Sequence, residues 1–183
     1  MNRSTFVAVS AALIVWSLPL AQAGPKAKDA SPAVQARAVF QEVDASSAQI
    51  ADVAEQLSER AKRQADPQLH AEGLDTLKED VNSIGSELSS LDAERASLAP
   101  WEVEALDKTI SLMQQVAANA EKAIEIYNSD RNRLWATAYP ADTAKAAEEA
   151  DQVKTLLSGY LKLAKARERG DRLEHDLKPA PQF

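Results

Sequence analysis

The feature that most constrains this chain is an apolar repeat of seven residues, carried through four long stretches that each open on a proline. Val39, Val43, Ser46, Ile50, Val53 and Leu57 hold it in the first stretch. Leu74, Leu77, Val81, Ile84, Leu88, Leu91 and Leu98 hold it in the second. The third runs from Val103 and Leu106 through Ile110, Met113, Ala117, Ala120, Ile124 and Tyr127 to Leu134, and the fourth through Ala150, Val153, Leu157, Tyr160 and Ala164. A period near 3.5 keeps one seam of a helix facing a partner along its whole length, and it predicts slight left-handed supercoiling. Leu112, Val116 and Ile126 widen the third seam, and Leu156, Leu161 and Leu163 the fourth, which suits a bundle core better than a two-stranded coil.

The prolines set the boundaries. Pro32, Pro67, Pro100 and Pro140 lie 35, 33 and 40 residues apart, and none falls inside a periodic stretch. Proline is tolerated in the first turn of a helix, where its missing N–H has no partner to lose, and is costly further in. Ser31 and Asp66, just before two of them, are good N-caps, and Asp142 is a candidate cap for the last helix. The spacing predicts helices over 32–64, 67–98, 100–138 and 142–169, with a frayed continuation past Gly170 to Lys178 and a tail over 179–183. Three short connections force neighbours to fold back, so the expected fold is all-α: an antiparallel up-down four-helix bundle with left-handed coiled-coil-like packing. The competing architecture is an extended helical hairpin that completes its core by dimerising. Glycine is scarce at five and aromatic residues make up 5%, so the chain lacks the material of sheets and turns.

Upstream of the first helix, the chain reads as an export signal. Arg3 supplies a positive start, residues 6–20 form a mostly apolar run, and Ala21-Gln22-Ala23 is a small-x-small cleavage site. The run is short for a bilayer of roughly 30 Å, so cleavage after Ala23 and a disordered lead-in over 24–30 are expected, the competing reading being a retained anchor. No cysteine is present, which leaves no thiol to lipidate and no disulfide to staple the fold; packing alone must stabilise it. Arg3 is the one charged residue of the leader, so the remainder carries 20 basic and 28 acidic side chains, a net charge of −8. Such a chain has little attraction for phosphate backbones, and no nucleic-acid partner is expected.

Motifs for chemistry are missing. A bundle metal site needs paired Glu-x-x-His units, and the two histidines, His70 and His175, have Pro67 and Arg172 three residues before them. No cofactor, metal or catalytic residue is expected, and both histidines read as exposed helix-surface residues. The glycines are isolated, so no phosphate loop is formed, and Gly85 and Gly159 mark either close helix approach or tolerated positions. Several acids stand at favourable helical spacing from a base: Glu59 with Arg63, Glu104 with Lys108, Glu168 with Arg172.

One segment stands apart. Residues 127–139 hold Tyr127, Arg131, Arg133, Trp135 and Tyr139, and an up-down arrangement brings them beside Lys62, Arg63 and His70 at the first connection. Arg131, Arg133, Trp135, Tyr139, Lys62 and Arg63 are therefore the candidate binding residues, since arginine and large aromatics are enriched where interfaces concentrate their energy. The competing reading is that Trp135 and Tyr139 plug the end of the bundle while the arginines pair with nearby acids. Helix one is alanine-rich and is expected to pack most weakly. The functional expectation is a non-enzymatic interaction or scaffold module of the cell envelope or extracellular space, with a protein partner or self-association. A periplasmic holdase-like or stress-related helper using exposed apolar helix surface is the alternative.

Overall fold

The computed structural model describes residues 32–177, and the expectations for the leader, its cleavage, the lead-in, the Ser31 cap and the tail lie outside them. The described residues are all-helical: α1 (Pro32–Lys62), α2 (Pro67–Ala93), α3 (Pro100–Asp130) and α4 (Tyr139–Leu177), with short 3-10 turns over Arg95–Ser97 and Leu134–Ala136. Among them no helix is long and apolar enough to cross a membrane. α1 packs against α2 and α4, and α3 packs against the same two, an arrangement compatible with a bundle around one core.

The seam of α2 is the one expected from Leu74 to Leu91: Leu74, Leu77, Val81, Ile84, Leu88 and Leu91 are all buried, whereas Leu98, expected to extend it, lies beyond the helix and is half-buried. In α1 the register differs. Val43, Ile50 and Leu57 are buried, but the alternate positions are Phe40, Ser47 and Ala54, while Val39, Ser46 and Val53 sit half-buried on the flank. Ser47 and Ala54 put small side chains in this seam, and among the described residues the α1–α4 contact is the most extensive. Of the α1 alanines, Ala36, Ala54 and Ala61 lie in the core and Ala38 and Ala45 are exposed.

Element ends depart from expectation for local reasons. Asp66 caps α2 as anticipated, its Oδ1 accepting from the Gln68 N–H at 2.8 Å. α2 stops at Ala93 rather than at residue 98. Pro100 disfavours helical geometry at Ala99, whose extended backbone starts α3, and the Glu102 carboxylate accepts from the Ala99 N–H at 2.8 Å. α3 stops at Asp130, eight residues early, and the chain turns so that Leu134 is buried under the bundle end. α4 begins at Tyr139, where the Thr137 hydroxyl accepts from the Tyr139 N–H at 3.2 Å; Asp142 is a buried first-turn residue and not the cap. Beyond residue 169, α4 runs unbroken through Gly170 to Leu177.

Polar cross-links tie particular ends together. Arg37 on α1 pairs with Glu168 on α4, so Glu168 does not make the pair with Arg172 expected from spacing. Ser58 Oγ donates to the Pro140 carbonyl at 2.8 Å, and Ser158 Oγ to Asp44 at 2.9 Å. Tyr127 Oη donates to the Pro67 carbonyl at 3.0 Å, joining the end of α3 to the start of α2.

Candidate functional site

The heptad of α4 extends back from Ala150 through Ala146 and Thr143 to Tyr139, and that of α2 back from Leu74 to His70. These two residues meet in the interior. Tyr139 is fully buried and His70 is 1% exposed; Tyr139 Oη and His70 Nδ1 share a hydrogen bond at 3.1 Å, and the rings lie edge to face at 5.3 Å. Burial holds the Tyr139 hydroxyl above the ordinary phenol range, so it keeps its proton as a donor. Burial, aided by the Arg60 charge, pulls the His70 imidazole below its usual value, so it is held neutral. The surface position expected for His70 is thus corrected. Its polar neighbours Gln68 and Glu72 point outward while His70 continues the core stripe.

The candidate residues divide. Tyr139 belongs to the interior lock, with Thr143 Oγ1 donating to its carbonyl at 2.9 Å, and is not available to a partner. Trp135, by contrast, is 51% exposed in the turn before α4 and does not plug the end. Tyr139 and Leu134 fill that place, because the 3-10 turn directs Leu134 inward and leaves the next residue outside. Arg131 and Arg133 precede it in the chain, both exposed, with Arg133 paired to Asp130 at 3.0 Å. Lys62 and Arg63 are exposed at the end of α1 and share Glu59, at 2.8 and 3.8 Å. The Lys62 hydrogen bond and charge hold the Glu59 carboxyl below its ordinary range. Tyr127, Ser58, His70 and Tyr139 therefore stitch all four helices at this end, and a basic and aromatic rim stands outside the stitching.

Beside this rim an open groove of about 350 Å³ runs between α1 and α4. It is lined by Asp52, Glu55 and Glu59 from one helix and Glu148 and Asp151 from the other, with Lys62 at its edge. Among the described residues no group of three or more His, Asp or Glu is arranged to hold a metal ion. Ser58 also lines the groove, its hydroxyl donating to the Pro140 carbonyl, and five carboxylates against one ammonium give the groove a predominantly negative field. Family models, curated proteins and solved structures give no match to this chain.

The His70–Tyr139 pair is the feature that sequence reasoning missed. The signal was present, since 70, 74, 77, 81, 84, 88 and 91 continue one alternation of four and three. Residue type masks it, because a histidine among polar neighbours looks like surface while its register belongs to the core.

Proposed function

We propose that this chain is an exported, non-enzymatic helical bundle that serves as an interaction or scaffold module in the cell envelope or outside the cell. The observation that carries the reading is the exposed Trp135, two residues after the exposed Arg133 and four after the exposed Arg131, mounted on an end whose four helices are stitched by buried polar bonds. A rigid mount lowers the ordering cost of binding, and an exposed tryptophan close in sequence to two exposed arginines suits an acidic or polar surface on a protein partner. The leader-like residues 6–20 support export. An antiparallel up-down order of helices is supported by the cross-links Arg37–Glu168, Ser58–Pro140 and Tyr127–Pro67, each joining the start of one helix to the end of its neighbour. Left-handed packing is supported by the alternation of four- and three-residue steps in every buried seam.

The test replaces Arg131, Arg133 and Trp135 together with alanine. All three are exposed, so the helical circular dichroism and melting of the parent are expected to persist. Affinity capture from a native envelope fraction, read by mass spectrometry, is expected to recover a partner with the parent chain and lose it with the variant. A folded variant that retains the same partners sinks the reading.

The holdase-like alternative draws on the half-buried flank of Leu112, Leu156 and Leu161 and the exposed Leu163. A hydrophobic dye separates the two: strong binding by the folded chain favours the helper, weak binding the interaction module.

A further inference from the structure

α4 outruns the bundle. Its last buried residue is Ala164, and every residue over 165–177 is exposed. This extension carries its own apolar stripe: Leu163, Ala166, Gly170, Leu173 and Leu177, at steps of three, four, three and four. The stripe is not the continuation of the core seam. That seam runs 150, 153, 157, 160 and 164, and its next positions are Arg167 and Asp171. The stripe is displaced by one residue, about 100° around the helix, so it lies to the side of the core seam and is open to solvent. Leu173 is 62% and Leu177 80% exposed. Nothing in a single copy calls for glycine at 170, since a Cβ built there meets nothing within 4 Å. A helix so charged, with a poor helix former at its middle, gains little from its own bundle and needs cover.

We propose that the cover is a second copy of the same extension, paired antiparallel so that two bundles are joined end to end. The sequence complements itself in one register. With Gly170 opposite the second copy's Leu173, Ala166 falls opposite the second copy's Leu177, so every layer sets a small residue against a large one. The flanking charges match in the same register. Arg169 lies beside the second copy's Asp176, and Arg167 beside the second copy's Glu174, on the two sides of the seam. Arg167 is already held over the Trp101 ring at 5.4 Å, which keeps it on that side. Glycine at 170 admits the opposing leucine, which accounts for a residue that is otherwise unfavourable there. The seam covers about three turns of each helix, so association belongs to the weak class, in a micromolar range of about 1–100 μM. It uses the end of the molecule opposite Trp135, so the triple variant at 131, 133 and 135 leaves it intact and the two proposals fail separately.

Sedimentation equilibrium of the full chain, over that concentration range, tests it. A monomer–dimer equilibrium is expected, abolished by Leu173→Lys with Leu177→Lys, which touch no core residue. Arg169→Asp is expected to weaken the dimer about tenfold or more, because it sets acid against acid twice, and Arg169→Asp with Asp176→Arg is expected to restore it. A chain that stays monomeric, or a dimer indifferent to these substitutions, overturns the proposal. A monomeric full chain that dimerises only when residues 1–23 are removed also overturns it, because residues 6–20 of the same chain are then the cover.

Discussion

At the scale of the residue, the buried pair of His70 and Tyr139 is the most consequential detail. Neither group has water to fall back on, so removing one leaves the other unsatisfied. Tyr139→Phe is expected to destabilise the fold by about 1–3 kcal/mol in urea denaturation, although only a hydroxyl is lost. Because the folded His70 is held below its ordinary pKa of 6.5, the unfolded chain binds the proton more readily. The stability His70 confers is therefore complete above pH 6.5 and falls as pH drops below it. Denaturation at pH 7.5 and 5.5 is expected to show this loss in the parent chain and to lose most of it in His70→Gln. The glycines divide by what surrounds them. A Cβ at Gly73 would stand 2.7 Å from Leu57 Cδ2, inside a filled core, whereas one at Gly159 meets nothing within 4 Å. Gly73→Ala is expected to cost about 1 kcal/mol despite better helix propensity, and Gly159→Ala to add about 0.5–1 kcal/mol. Equal shifts in the two melting curves would contradict that packing. Close approach thus belongs to Gly73, and Gly159 is merely tolerated.

At the scale of the element, the seams were legible in outline and wrong in part. In α2 the seam from Leu74 to Leu91 is legible because its positions are leucine, isoleucine and valine, types that declare themselves, whereas His70 at its start does not. α1 was misread because three of its core positions are Ser47, Ala54 and Ala61, which carry no hydropathic signal against an alanine-rich background. Small side chains there let backbones come together, and α1 meets both α2 and α4. Hydrogen exchange of the dilute, monomeric chain is expected to show the middle of α1 as protected as the middle of α2, and α4 past Ala164 exchanging fastest among the helical segments. Early exchange across α1 would restore the view of it as the loose helix. Boundaries were less visible. The early stop of α3 follows from the burial of Leu134, and the late end of α4 from the absence of any residue able to halt it before 177. Gly170 alone does not break a helix.

At the scale of the whole molecule, charge works against the fold. The chain carries −7 overall, and Asp52, Glu55 and Glu59 on α1 face Glu148 and Asp151 across one groove. Elsewhere Glu87, part-buried with one oxygen lacking a hydrogen-bond partner, is raised above its ordinary range by burial and by the nearby Glu42 charge. Most ion pairs are exposed and short in sequence range, and such pairs contribute little. Screening should therefore relieve more repulsion than it removes attraction. Raising NaCl from about 20 to about 200 mM is expected to lift the melting temperature by roughly 2–4 °C. A fall in melting temperature would mean that the exposed pairs outweigh the groove.

Sequence by itself determined that the chain is helical, how many long helices it forms, and which side of α2 and α4 turns inward. These properties rest on periodicity and proline placement, which act locally and can be read one stretch at a time. It also carried the extension of α4 and its displaced stripe. Tertiary structure decided the rest: that Tyr139 is interior while Trp135 is outside, that His70 has a partner sixty-nine residues away, and that α1 seats on its small residues. These depend on what stands opposite each side chain, and a neighbour from another helix leaves no mark on local pattern.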